Sequence, residues 1–197
     1  MNRAEVLQVF GRHRGDAAVV VGPGHASDEL FIVAHAEPTL YKMDMAYAAP
    51  LCLGLALADP TRRAVAIEGD GSMLAALGVL TTIGRYRPPN LLVLVLDNQT
   101  YGSIWDSANP AIASASAETT DIAAVARACG LEHSETVHTV EEAEEALSRA
   151  ARGPGPWVVV AKTLERSDVR DRITDYDVPD VFENSLAFAR AVRTRAK

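Results

Sequence analysis

Cysteine, aromatic residues and long apolar runs are all scarce in this sequence of 197 residues. Its two cysteines, Cys52 and Cys129, are too few and too far apart for a Cys-x-x-Cys zinc or iron–sulfur cluster, so each is expected to behave as a buried apolar residue. Basic residues are outnumbered, 19 against 26 acidic, and the net charge of −7 is opposite to the footprint of a protein that grips a phosphate backbone. Nucleic acid is therefore not an expected partner. No apolar run approaches the roughly 20 residues that span a bilayer, and Met1 to Arg14 carries charges too early and too often for a signal peptide. Both absences point to a cytoplasmic protein with no membrane segment. What is present, 48% hydrophobic and 23% charged residues, suffices for a sizeable core, and one domain over residues 1–197 is expected.

Along the chain, helical and extended patterns alternate. Arg3 to His13 spaces Val6, Leu7, Val9 and Phe10 as a helix, and the apolar run Ala17 to Val21 follows as a strand. Gly22-Pro23-Gly24 breaks that strand, and Ser27-Asp28-Glu29 has the composition of a helix start. A short extended piece, Thr39 to Met43, leads into a small-residue helix over Ala46 to Ala58, with Pro50 in its first turn and its leucines buried on most faces. Ala64 to Glu68 and Leu91 to Leu96 are apolar throughout or nearly so, as strands covered on both faces are, and Ser72 to Tyr86 reads as the helix between them. Helices over Asp121–Cys129, Val140–Ala151 and Val181–Val192, and strands over His133–Val137 and Trp157–Ala161, complete the pattern. It predicts an α/β fold: a single doubly wound domain with a mainly parallel sheet. Two irregular stretches interrupt it, the Ala- and Ser-rich connection Ser107 to Thr120 and the Asp- and Arg-dense tail Glu165 to Asp180.

Ligands of such sheets bind beyond the carboxyl ends of the strands, where this chain places Gly69-Asp70-Gly71-Ser72 and Asp97-Asn98. If the two strands are neighbours their ends lie about 4.8 Å apart, and the Asp70 carboxylate and the Asn98 amide oxygen then suit one hard cation, magnesium or calcium. Gly71 lets backbone approach a ligand, and Ser72, at the start of a helix, favours phosphate. Taken alone, Asp-Gly-Ser is also an ordinary turn and helix cap.

Gly-Asp-Gly followed by 26 residues and then Asn resembles the signature of thiamine diphosphate enzymes. The resemblance implies that Asp70, Asn98 and the backbone carbonyl of Thr100 bind Mg2+, and that Gly69, Gly71, Ser72, Gly102 and Ser103 belong to the cofactor site, Tyr101-Gly102-Ser103 being similar to the family's continuation. The family more often has Asn where Asp97 stands; the metal-binding amide is unaffected. Met43-Asp44-Met45, followed by Pro50 and Gly54, resembles the segment that holds the aminopyrimidine ring, with Met45 as the apolar prop and the Met43 carbonyl as acceptor for the 4′-amino group; where Met43 and Ala46 stand the family usually has Gly. Gly24 to Phe31 is similar to the turn that touches the diphosphate and makes His25 a cofactor-binding candidate. Glu68 is expected to end a strand rather than to act as a base.

Nearly the whole chain takes part in the resemblance, which is nearest to the β subunits of sulfopyruvate decarboxylase and phosphonopyruvate decarboxylase-like enzymes. It implies thiamine diphosphate and Mg2+ as cofactors, a small 2-oxo acid as substrate, and an α subunit carrying the pyrimidine-binding domain and its activating glutamate. This chain has no room for two domains of about 150 residues, and no catalytic residue is expected within it. Cations for a second anionic group on the substrate are to be sought in Arg62, Arg63, the Arg-rich tail or the partner. Decarboxylation and carboligation of the acetolactate synthase type share these motifs. A nucleotide-binding or regulatory module without catalysis also remains open, although no Gly-x-Gly-x-x-Gly follows the first strand. Two distant cysteines disfavour an iron–sulfur-dependent oxidoreductase chain.

Overall fold

The structure, a computed structural model, describes residues 1–101, 112–117, 119–164 and 179–193. Its centre is a parallel six-stranded sheet made of β1 (Ala18–Val21), β2 (Thr39–Leu40), β3 (Ala64–Gly69), β4 (Leu91–Asp97), β5 (His133–Val137) and β6 (Trp157–Lys162), in the order β2-β1-β3-β4-β6-β5. β1, β3, β4 and β6 are apolar because both of their faces are covered, as parallel strands in this architecture require. One layer packs α1 (Arg3–His13), α2 (His25–Ala34) and α7 (Val140–Arg152) on the sheet through Phe10, Leu30 and Leu147. The other layer packs α3 (Ala48–Ala58), α4 (Asp70–Ala75), α5 (Val79–Tyr86), α6 (Ile122–Ala128) and α8 (Val181–Arg193) through Cys52, Met73, Ile83, Ile122 and Phe188. The chain is thus doubly wound, as its alternation predicts.

Local chemistry sets the element ends. Asn2 and Glu5 form a capping box on α1, and the Asp121 and Thr139 side chains cap α6 and α7. The edge strand β2 is completed by a side chain: Asn184 of α8 accepts from the Tyr41 N–H (2.8 Å) and donates to the Thr39 carbonyl (2.9 Å), satisfying backbone that a further strand would otherwise bind. Among the described residues no helix is long and apolar enough to cross a membrane.

Four local expectations differ from the structure. α2 begins at His25 rather than Ser27, because Gly24, at φ +78°, makes the turn that a capping serine was expected to make. The extended piece shortens to Thr39–Leu40, since the left-handed Lys42 turns the chain away, and α3 starts at Ala48. Leu57 is exposed, so α3 is covered on fewer faces than its leucines suggest. The helix expected over Ser72–Tyr86 begins at Asp70 and breaks between Ala75 and Val79. There Gly78 weakens the α-helix, and three-residue bonds such as Val79 N to Ala76 O (2.8 Å) take over. The connection 107–120 is described only in part and the tail 165–178 lies outside the described residues.

Candidate functional site

The sheet order reverses between β1 and β3, so the crevice at their carboxyl ends is the place where an open α/β sheet takes its ligand. β3 and β4 are paired in register from Ala64↔Leu91 to Gly69↔Leu96, which brings Asp70 and Asn98 together as expected. Asn98 Oδ1 accepts a long bond from the Thr100 N–H (3.3 Å) and Asn98 Nδ2 donates to Thr100 Oγ1 (3.0 Å). The oxygen end of the amide stands 3.0 Å from Asp70 Oδ1 and 2.9 Å from the Thr100 carbonyl oxygen. Three oxygens at that separation repel one another unless a donor or a cation lies among them. Turning the amide over supplies its NH2 group; a divalent cation supplies the charge with the oxygen kept in place. Contacts of this length match the roughly 3.0 Å edge of an octahedron with metal–oxygen distances of about 2.1 Å, so the donor set of one carboxylate, one amide and one carbonyl fits Mg2+.

Backbone strain aims these groups. Gln99 is left-handed at φ +63°, and the turn is held by Asp97 Oδ1, which accepts the Gln99 N–H at 3.0 Å. Asp97 is itself buried; Lys162 Nζ lies 2.5 Å from its Oδ2 and the Ser116 hydroxyl donates to its Oδ1 at 2.8 Å. Sequence reasoning missed this pair, although both residues directly follow apolar runs and the parallel register sets Asp97 opposite Lys162. It also missed Ser114, whose hydroxyl donates to Asp70 Oδ2, and Ser116, whose hydroxyl oxygen lies 2.9 Å from the same Oδ2 while its one proton goes to Asp97; Asp70 Oδ1 is left facing Asn98. Nothing in the local sequence announces those two contacts. Asp70 is buried at the start of α4; burial pushes its carboxyl above the usual range, the serine hydroxyls oppose this, and the Asp97 charge adds to it.

The other expected residues lie on the loops of the same edge. Gly69 ends β3 with open space where a side chain would stand. At Gly71 a Cβ would meet the Tyr101 ring at 2.3 Å, so its missing side chain makes room for Tyr101, not for a ligand as expected. Ser72 is the third residue of α4 and does not open it; its hydroxyl donates to Glu68 Oε2 (2.5 Å) and accepts the Ala46 N–H (2.9 Å), directed there by the buried carboxyl. Glu68 does lie in a strand, one residue from its end, fully buried, and burial raises its pKa. His25 opens α2, Met43 is half-buried with its N–H on the Val21 carbonyl (2.9 Å), and Met45 is 50% exposed. Gly102 and Ser103 lie outside the described residues. Arg62 and Arg63 sit before β3, at the opposite end of the sheet and about 20 Å from the site at some 3.3 Å per strand residue. There Arg62 donates to the Ala191 carbonyl and Arg63 to the Ala150 and Gly153 carbonyls, so neither serves a ligand in this crevice. Among the described residues no cluster of three or more His, Cys, Asp or Glu side chains offers another metal site.

Comparison with known proteins bears on the same region. The family described as thiamine pyrophosphate enzyme, C-terminal TPP binding domain, matches residues 35–161. The chain is 32% identical over 169 residues to sulfopyruvate decarboxylase subunit beta of Methanococcus maripaludis, covering 85% of this chain and 87% of that subunit. It is 38% identical over 145 residues to phosphonopyruvate decarboxylase of Streptomyces viridochromogenes, covering 73% of this chain but only 35% of that enzyme. A solved structure, the thiamine diphosphate-dependent 4-hydroxybenzoylformate decarboxylase of Rhodococcus jostii RHA1, superposes with a TM-score of 0.66 at 19% identity over 83% of this chain and 33% of that one, a likeness of fold.

Proposed function

The chain belongs to the thiamine pyrophosphate enzymes and carries their C-terminal cofactor-binding domain, and from this premise we propose that it is the β subunit of a two-chain decarboxylase acting on a small anionic 2-oxo acid. The observation that carries the reading is the convergence of Asp70, Asn98 and the Thr100 carbonyl on one point at the switch of the sheet. When bound, the cofactor supplies the electron sink that lets a 2-oxo acid lose carbon dioxide.

The share of this chain is to hold and orient. Asp70, Asn98 and the Thr100 carbonyl would hold Mg2+, whose charge would offset that of the diphosphate. Gly69 and His25 would border the diphosphate; the Met43 carbonyl would accept from the aminopyrimidine and Met45 would prop the ring. Met45 and Tyr47, at 50% and 60% exposure, stand out from the edge of the site and give a partner an apolar surface to close against. The partner is an α subunit that brings the pyrimidine-binding domain and the activating glutamate; the match in length to a subunit named beta supports this division. Arg62 and Arg63, at the far end of the sheet, do not supply the cations for a sulfonate or phosphonate group.

Titration of thiamine diphosphate with Mg2+ or with chelator, into the chain alone and with an α subunit, tests the reading. Metal-dependent binding followed by release of carbon dioxide from sulfopyruvate or phosphonopyruvate is the expected result. No binding under any condition removes the reading, and a longer hydroxyketone product in place of an aldehyde replaces decarboxylation by ligation.

A further inference from the structure

The turn from Lys42 to Ala46 carries the two groups assigned to the cofactor ring, and it is strained at both ends. Lys42 (φ +54°) and Ala46 (φ +76°) are left-handed without being glycine, a conformation that persists only where the surroundings impose it. Three bonds impose it here: the Lys42 N–H donates to Ser27 Oγ (2.7 Å), the Met43 N–H to the Val21 carbonyl (2.9 Å) and the Ala46 N–H to Ser72 Oγ (2.9 Å). Behind them, the Ser27 hydroxyl donates to the Gly22 carbonyl (3.0 Å) and the Ser72 hydroxyl to Glu68 Oε2 (2.5 Å), while Glu68 Oε1 accepts the Ala49 N–H (2.9 Å). A Cβ on Gly22 would lie 2.8 Å from Glu68 Oε2, so this one carboxyl packs against the loop after β1 and bonds the first turn of α3 and the Ser72 hydroxyl of α4.

A buried carboxyl is costly unless its acceptors are filled, and Glu68 fills its two oxygens from Ala49 in the first turn of α3 and from the Ser72 hydroxyl in α4, which in turn holds the Ala46 N–H. Ser27 and Glu68 are both 0% exposed, so neither touches a ligand, whereas Met45 between the tethered residues is half-exposed. We infer that Ser27 and Glu68 are positioning residues that preset the Lys42–Ala46 turn for the ring half of the cofactor, acting through hydrogen bonds and separately from the metal and diphosphate half. The inference rests on the function proposed above.

Two probes separate the halves. Inorganic pyrophosphate with Mg2+ reads the metal and diphosphate contacts alone; thiamine diphosphate adds the ring. Each is titrated into the full chain with its pyrimidine-domain partner present, for the parent, Glu68→Met (similar length, no acceptors), Glu68→Gln (shape and one acceptor kept) and Ser27→Ala. Thiamine diphosphate affinity is expected to fall roughly tenfold in Glu68→Met and Ser27→Ala and less in Glu68→Gln, with pyrophosphate affinity within about twofold of the parent throughout. Amide exchange in the full chain at Lys42, Ala46 and Ala49 is expected to quicken in the affected variants, while β4 stays protected. Equal loss for both probes, or unchanged thiamine diphosphate affinity, overturns the inference; Ser27→Ala and Glu68→Gln decide it if Glu68→Met does not fold. A parent that binds neither probe with Mg2+ sinks the functional reading and this inference with it.

Discussion

Replacing Asp70 by asparagine separates what the residue does for the fold from what it does for the cation. Its carboxylate is the one formal charge among the three converging oxygens, and it is 2% exposed, so solvent does little to replace it. Partners one shell out from a metal are worth about 10–100-fold in affinity, so losing the charged ligand should cost at least about 100-fold, or about 2.7 kcal/mol. Folding without metal should move the other way. The asparagine oxygen still accepts from Ser114, its NH2 donates to the Asn98 oxygen, and the repulsion from Asp97 disappears. Since burial raises the Asp70 pKa in the folded chain, that chain holds its proton where the unfolded chain has lost it, and the parent loses stability as pH rises through this window. Asp70→Asn lacks the titration, so its metal-free melting temperature should equal or exceed that of the parent on the alkaline side. Calorimetry of Mg2+-dependent thiamine diphosphate binding and metal-free melting at several pH values read the two arms. Retained metal-dependent affinity, or a metal-free melt well below the parent, refutes the reasoning. Asp70→Ala is a poorer test, because it takes away the acceptor of the buried Ser114 hydroxyl, which is left only Ser116 to bond, and leaves a cavity beside it.

Three further expectations concern the scaffold. Arg3 and Glu29 form a two-bonded pair between α1 and α2 at 2.6 and 2.9 Å with Glu29 fully buried, so Arg3→Met should cost about 3–5 kcal/mol in urea unfolding, and Arg3→Met with Glu29→Leu should recover most of it. Lys162→Met strands the buried Asp97 carboxylate and should cost about 2–3 kcal/mol, discounted because Lys162 is a quarter exposed; adding Asp97→Asn should restore more than half, and no recovery would refute the pairing. Burial pushes the Tyr41 phenol up to about 12, above its ordinary 10, so the folded chain keeps that proton longer and stability should fall as pH rises from about 10 to about 12; ultraviolet titration of the native and urea-unfolded chain checks it.

The strands were legible because a strand covered on both faces must be apolar throughout, and the ends of β3 and β4 were legible because polar residues begin there. Asp70 and Asn98 could be read for the same reason: each lies just beyond a strand end, and the register of two neighbouring strands does the rest, whereas Thr100 entered through the family resemblance alone. Ser114 and Ser116 could not be, since they reach Asp70 across a connection with no periodicity. Ser72 was misread because helix composition suggests a phosphate-binding start, whereas the buried Glu68 nearby offers its hydroxyl a stronger acceptor. The break at Gly78 was missed for a related reason: Met73, Leu74, Leu77, Leu80 and Ile83 keep helical spacing across it, and apolar periodicity does not register a change from four-residue to three-residue bonding.

Asp97 shows how the site limits its own charge. It stands where the resembled family more often has asparagine, next to the metal-binding amide, and a second free carboxylate there would make the site a stronger trap for bare cations. The structure removes that freedom: Oδ1 is taken by the Gln99 N–H and the Ser116 hydroxyl, and Oδ2 by Lys162. A cation held there would therefore meet one carboxylate and two neutral oxygens, a set too weakly charged to strip several waters from Mg2+ unaided. A bound diphosphate would supply the missing negative charge, so metal and cofactor should bind as one unit. Titration with Mg2+ alone should give an affinity no tighter than about millimolar, and added pyrophosphate should tighten it by at least about tenfold. Micromolar binding of Mg2+ without any phosphate would mean that Asp97 is free to turn towards the metal and that its bonds to Lys162 and Ser116 do not hold it.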